Sequence, residues 1–354
     1  FGDGGDCYAE LLGGERQGMK IMFQMMNEAR IGVGLQSLAA ASIAYLHALN
    51  YAKERLQGSS LLEMKNPEAP RVPIIQHADV RRMLLWMKAH VEGFRALTYY
   101  TAYCEDLVRA SADEALRDKS KGIIEVLTPI VKAYCSDMAF KVTELAIQTY
   151  GGYGYCSEYP VEQFMRDLKI ASIYEGANGI QALDLVGRKL GMKKGMYFMS
   201  LLGEMNATVA AYQGNAALKD LASDVQKSVN TLAELAMYFA GSAKAGKFLI
   251  PVGNAYPFLM LMGKVVMGWL LLWEAGVARE RLEGIASAKG IDLSDGGQVS
   301  ALAKADADAA FYIGKVSAAR YFIKHVLPEV DAAVTSIRSE DLSMIDIPEE
   351  AFAS

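Results

Sequence analysis

From Met19 onward the apolar residues of this chain recur at helical spacing, and almost no stretch alternates in the way a half-buried strand requires. That pattern predicts an all-α fold. Over 19–57 the periodic positions are Met22, Met25/Met26, Val33, Leu35, Leu38, Tyr45, Leu46 and Leu49. A loop marked by Pro67, Pro70 and Pro73 follows, and a second helix is predicted from about His77, with Val80, Met83, Leu84, Met87, Val91, Phe94 and Leu97 on one face. Asp113–Lys121 interrupts the apolar pattern and reads as a solvated turn. A third helix is predicted over 123–150, with a tolerable kink at Pro129, then a loop over 151–160. A fourth helical run over 161–190 is broken near Gly176–Gly179. Glycines make 191–215 a hinge candidate, and helices resume at about 216–245, 257–285 and 306–337. Only residues 1–18, Gly-rich with a short extended stretch at Cys7–Leu12, depart from the helical theme.

At 354 residues and 52% hydrophobic, the chain can bury a large core and is long enough for two or more domains. A formal charge of -5 argues against electrostatic binding of nucleic acid. The four cysteines (Cys7, Cys104, Cys135, Cys156) form no CxxC or Cys/His cluster, so no metal site or disulfide framework is predicted and the thiols fit a reducing cytoplasm. Pro257–Trp273 is apolar enough to raise the question of a membrane span. Lys264 in its middle and Glu274 at its end favour a buried core helix. The chain starts at Phe1, not Met, with neither a charged nor an apolar leader, and reads as a fragment of a longer protein. His47, His77, His90 and His325 do not cluster and read as surface or capping residues; Met19–Met26 reads as adaptable core packing.

Two short segments could carry chemistry. Gly151-Gly152-Tyr153-Gly154 follows a predicted helix, not a strand, so a dinucleotide fingerprint fails; on spacing alone a helix end followed by a tight turn is the preferred reading. Glu175 follows the apolar Ile170, Ala171 and Ile173 and precedes Gly176. Desolvation there would suit a general base, and the glycine would admit a substrate; a solvated glutamate near a helix end is the alternative.

Five blocks in order resemble the C-terminal part of the acyl-CoA dehydrogenase family: Asn27-Glu28-Ala29-Arg30-Ile31-Gly32; Tyr51 to Gly58 (YAKERLQG); Ile147 to Tyr155 (IQTYGGYGY); Glu158 to Glu162 (EYPVE) with Met165-Arg166-Asp167; and Ile173-Tyr174-Glu175-Gly176 with Ile180-Gln181. The segments Pro73–Leu84, Ile180–Leu190 and Phe311–Pro328 resemble the larger members of the 3-methylmercaptopropionyl-CoA dehydrogenase type, which carry an extra helical domain. The resemblance implies an up-and-down four-helix bundle over 19–192 and a second helical domain over 216–354. Residues 1–18 would be the remnant of a middle β-domain and 193–215 a linker.

It also implies an oxidoreductase of fatty acid metabolism, dependent on FAD, that oxidises an acyl-CoA thioester to the 2,3-enoyl-CoA. Glu175 would be the base that removes the α-proton. Tyr174, Gly176 and Arg30 would contact the substrate. Arg55, Gln57, Gln148, Gly151 and Gly152 would hold the flavin of a neighbouring subunit in a homodimer or homotetramer. An electron-transfer flavoprotein would accept the electrons, no metal is implied, and the fragment alone would be inactive. The Arg166-Asp167 pair would be a structural ion pair. The chain departs from the family pattern at Ala177, where Thr is usual, at Gly179, often Gln, and after Gln57, where the Phe is absent. Two other readings are a non-catalytic helical oligomerisation module and a DNA-associated relative, the latter disfavoured by the acidic balance.

Overall fold

The computed structural model describes residues 1–63 and 65–353, and for Phe23 and Gln24 the backbone. Its helices are α1 (Gly18–Glu54), α2 (Ala78–Ala110), α3 (Glu114–Tyr150), α4 (Gly152–Tyr155), α5 (Val161–Leu168), α6 (Asn178–Gly187) and α7 (Met196–Tyr212). They continue as α8 (Lys219–Lys244), α9 (Leu249–Gly253), α10 (Ala255–Lys289), α11 (Gly296–Ala305), α12 (Ala307–Tyr321), α13 (Glu329–Ile337) and α14 (Ser343–Asp346). The fold is all-α, with α1, α2, α3 and the interrupted run α5–α6 forming a four-helix bundle. No strand forms among the described residues; Cys7–Leu12, expected extended, pairs with nothing, and one isolated antiparallel bridge joins Leu56 to Pro73.

Helix α1 packs along α3, and small residues let the two approach closely. Ala41, Ala44, Ala48 and Ala52 are fully buried along α1. A Cβ on Gly34 would stand 2.3 Å from Val131 Cγ1 and 2.9 Å from the Val131 carbonyl oxygen. This corrects the predicted face of α1. Leu35 and Leu46 are exposed, and the buried stripe is Val33, Leu38 and the alanines. Met19, Met22 and Met25 are likewise exposed rather than core residues.

Asp113–Lys121 is not a turn but the first two turns of α3. Asp113 caps them, its carboxylate accepting from the backbone N–H of Ala115 (2.9 Å) and Leu116 (3.2 Å). The charges that broke the apolar pattern are therefore a solvated helix face. The helix runs unbroken through Pro129. The proposed hinge is mostly helix as well. The chain turns within Met192–Gly195, where Lys193, Lys194 and Gly195 all have positive φ, and α7 then buries Tyr197, Phe198, Leu201, Leu202, Met205 and Val209.

Helix α10 is the spine of the second half and packs on α2, α3 and α6 of the bundle as well as on α8, α12 and α13. One hydrophobic core is therefore continuous from α1 to α13. Close approach again rests on glycine: a Cβ at Gly263 would meet the Tyr134 ring at 2.3 Å, and one at Gly93 would meet Met267 at 2.2 Å. Both α1 and α10 are long and apolar enough to cross a membrane, yet 78% of the apolar window of α10 is buried against protein. Lys264, which interrupts that window, pairs with Glu329 at 2.6 Å.

Of the four histidines, His90 breaks the expectation of a surface or capping role. It is fully buried, stacked on Trp86 (centroids 3.6 Å apart) and edge-on to Phe94 and Phe322. Cys104 and Cys135 are buried, while Cys7 and Cys156 are exposed; all four are free.

Candidate functional site

The residues singled out from the sequence assemble into two places. Arg55, Gln57, Gln148, Gly151 and Gly152 line one cleft of about 790 Å³, at the end of the bundle where α1 and α3 terminate and α2 begins. The strap after α1 is held by backbone pairing, Gln57 N–H to Val72 C=O and Val72 N–H to Gly58 C=O, each 3.0 Å. The His77 ring adds a contact from Nε2 to the Gln57 carbonyl at 2.7 Å. On the opposite wall Gly151 has φ +63 and ψ −141, a backbone region that only glycine adopts without strain, and it turns the chain sharply out of α3.

Aromatic rings shape the rest of this cleft. Tyr51 and Tyr150 stack with centroids 4.1 Å apart, and Tyr153 lies under the Arg55 guanidinium at 5.3 Å. Among the described residues Arg55 makes no ion pair, and Asp79, the carboxylate on the rim, is engaged by Arg82 at 2.8 Å. The cleft thus offers an uncompensated guanidinium beside stacked rings and an open glycine turn. That donor set fits an anion attached to a flat aromatic group.

The second place is the turn between the 3₁₀ segment Lys169–Ser172 and α6. Glu175 and Gly176 both take left-handed backbone angles, φ +56 and +86. A glutamate held in that region is costly and marks a constrained position. The constraint comes from the turn's carbonyls. Arg30 Nε donates to the Glu175 carbonyl oxygen at 3.2 Å, and the buried Gln181 reaches the Glu175 and Gly176 carbonyls with Nε2 at 3.5 and 3.4 Å. A Cβ at Gly176 would collide with Gln181 Nε2 at 2.6 Å. The Tyr174 hydroxyl is anchored on Gln36.

The Glu175 side chain is half-buried, and among the described residues its carboxylate takes neither a hydrogen bond nor an ion pair. The backbone is therefore held on several sides while the carboxylate is free to act on something else. Arg30 also lines a second cavity of about 890 Å³, with Asn27, Glu28, Ile180, Asp184 and Arg188. Part of the charge there is paired: Arg188 with Asp184 at 2.7 Å within the cavity, and Glu28 with Arg109 at 2.6 Å.

Arg30, Tyr174, Glu175 and Gly176 thus come together, and the five cleft residues come together elsewhere on the chain. The Arg166-Asp167 pair does not form: Arg166 pairs with Glu162 one turn earlier at 2.7 Å, as the i, i+4 geometry of α5 favours, and Asp167 accepts from Gln163. Sequence reasoning missed Tyr51, His77, Gln181 and Lys132. The signal for Lys132 was a lysine within the apolar run Ile130-Val131-Lys132-Ala133. It is fully buried and donates to Asn178 Oδ1 at 2.8 Å. Burial pushes its ammonium down to about 8, against the pull of Asp137 and Glu175 and with a further push from Arg30. Among the described residues no cluster of three or more His, Cys, Asp or Glu could hold a metal.

Two family models match the chain. Residues 16–190 match the family model described as acyl-CoA dehydrogenase, C-terminal domain, and residues 201–348 match the one described as acetyl-CoA dehydrogenase C-terminal like. The 3-methylmercaptopropionyl-CoA dehydrogenase of Ruegeria pomeroyi is 37% identical over 95% of this chain and 53% of its own length. A broad-specificity linear acyl-CoA dehydrogenase of Mycobacterium tuberculosis is 36% identical over 97% of the chain and 54% of its own. A butyryl-CoA dehydrogenase of Syntrophomonas wolfei is 34% identical over 99% and 55%. The chain spans about half the length of the curated relatives it matches. Among solved structures, Caenorhabditis elegans ACDH-11 in complex with C11-CoA superposes with a TM-score of 0.66 at 18% identity, covering 94% of this chain and 50% of that one. An acyl-CoA dehydrogenase from Bacillus anthracis complexed with FAD gives 0.64 at 18%, covering 94% and 52%. Both share the helical fold.

Proposed function

The chain belongs to the acyl-CoA dehydrogenase family, and on that premise we propose that it supplies the base and part of the flavin site for FAD-dependent α,β-dehydrogenation of an acyl-CoA thioester. The observation that carries this is the Glu175 turn: a strained backbone held by Arg30 and Gln181, presenting a half-buried carboxylate that no other group engages.

Such a carboxylate can take a proton from a carbon acid only if it is correctly placed and not already neutralised by a partner. Among the described residues no hydrogen bond or ion pair neutralises the Glu175 carboxylate, which supports this reading. Gly176, with no side chain, leaves room for Gln181 and Arg30 to close on the turn from behind, and the Tyr174 hydroxyl is tied to Gln36. As the α-proton leaves, negative charge develops on the thioester oxygen, and the backbone N–H of Glu175 is the donor this chain would direct at it. Bound FAD would accept the β-hydride. Arg55, Gln57, Gln148, Gly151 and Gly152 would hold the pyrophosphate and adenylate end of that FAD, contributed across a dimer interface. Their separation from the Glu175 turn within one chain supports a site completed by two subunits. An electron-transfer flavoprotein would take the electrons onward, in the cytoplasm.

The test is flavin reduction by acyl-CoA in the full-length protein. Glu175→Gln keeps the size of the side chain but cannot accept the proton. The rate should fall on the order of 10³-fold, within the range ascribed to a positioned general base, with flavin content unchanged. Flavin reduction at the unmodified rate would refute the assignment.

A further inference from the structure

We propose that Lys132 is a positioning residue for the Glu175 turn, acting through Asn178, the first residue of α6; the inference rests on the reading of Glu175 as base. Three observations carry it.

The first is an absence of capping. Helix α6 begins immediately after the turn, and its N-cap is Ala177, whose side chain can accept nothing. A helix start without a cap frays, and fraying here would release the residues that hold Glu175.

The second is what replaces the cap. The side chain of Asn178 points back into α3, where Lys132 Nζ donates to its Oδ1 at 2.8 Å. Its Nδ2 in turn donates to Ser136 Oγ at 2.9 Å and to the Ala133 carbonyl at 3.2 Å. Lys132, Ser136 and Asn178 are all buried. The exit of the turn is thus bolted to α3, while Arg30 and Gln181 hold its carbonyls.

The third is the cost. Among the described residues no carboxylate oxygen lies within 4.0 Å of Lys132 Nζ, so a buried ammonium is held by a neutral amide. A core that needed only volume here would do as well or better with an apolar residue of the same length. The charge is kept where it reaches Asn178, in the field of Glu175, Arg30 and Asp137.

The test uses the full-length, flavin-loaded protein with Lys132→Met and Asn178→Ala, and Glu175→Gln alongside. Lys132→Met should melt no lower than the parent. Its kcat should fall tenfold or more with KM within about twofold. The isotope effect on kcat with α-deuterated acyl-CoA should rise, because proton abstraction becomes slower, which a mere loss of folded protein would not cause. Amide hydrogen exchange over 175–178 should quicken about tenfold while α1 and α3 stay protected. Asn178→Ala removes the same hold from the other end and should give the same changes; it decides the matter if Lys132→Met does not fold. Unchanged exchange and an unchanged isotope effect would overturn the proposal. If Glu175→Gln remains active, the base reading fails on its own, and the exchange measurement still reports whether Lys132 holds the turn.

Discussion

Arg30 on the first helix of the bundle donates Nε, at 3.2 Å, to the carbonyl oxygen of Glu175, 145 residues further along the chain. Arg30 is only 7% exposed, so water is a poor substitute for it. It fixes the backbone on which the carboxylate stands and leaves the carboxylate itself unengaged.

Removing that hold should loosen the turn without unfolding the bundle. A hydrogen bond from a charged donor contributes about 1.5–3 kcal/mol. Arg30→Gln should therefore lower kcat/KM roughly tenfold to a hundredfold, a range that follows from the same energies. Steady-state kinetics on the full-length protein would measure it, and an unaltered kcat/KM would show that the carbonyl contact does not matter to the reaction.

Among the described residues Arg55 is the one guanidinium that lines its cleft, and no carboxylate pairs with it. Arg55→Met keeps the length of the side chain and removes the charge. Flavin retained per protein after gel filtration should drop, with affinity weakened about tenfold or more as expected for a lost charge-assisted pair with phosphate. Full retention of flavin would place its pyrophosphate elsewhere.

His90 predicts sensitivity to acid. Burial depresses its imidazole to about 3, the nearby Lys264 adds to this, and the hydrogen bond from Nδ1 to the Trp86 carbonyl opposes it; Nε2 is buried with no hydrogen-bond partner among the described residues. Because the folded value lies below the ordinary value of 6.5, the unfolded chain binds the extra proton first. Stability is therefore whole above pH 6.5 and is lost as pH falls toward 3. At pH 5 the loss from this residue is about 2 kcal/mol. Melting curves at pH 7 and pH 5 should show that difference largely removed in His90→Leu; an identical acid loss in the variant would assign it to other groups.

Gly34 tests the closeness of α1 and α3. A methyl group there would run into the Val131 side chain and its backbone carbonyl, and backbone cannot give way cheaply. Gly34→Ala should destabilise by about 1–3 kcal/mol despite the better helix propensity of alanine. Urea unfolding followed by circular dichroism would read it, and a gain in stability would mean the helices can move apart.

Much of this was readable before any coordinates. Apolar spacing near 3.6 residues is a local property, so the all-α class and the approximate positions of α2, α3 and α10 follow from it. The five cleft residues follow from the family resemblance of two compact motifs, Tyr51–Gly58 and Ile147–Tyr155, each of which lies where a helix ends at the same end of the bundle. Lys264 inside an apolar run correctly argued for a core helix, since its charge could reach a carboxylate on a neighbouring helix.

Other features depended on packing. The buried stripe of α1 was hidden because alanine carries little hydrophobic signal, and only the proximity of α3 shows why it must be small. The charged start of α3 was mistaken for a turn because a solvated helix face and a loop have the same composition. Lys132, His90 and the Arg30–Glu175 contact were invisible for one reason: each is defined by groups on other segments of the chain. A sequence determines which faces are apolar and where helices can begin and end. Which polar group stands behind which turn is decided only when the helices have docked, because a hydrogen bond of 3 Å depends on their relative placement rather than on either helix alone.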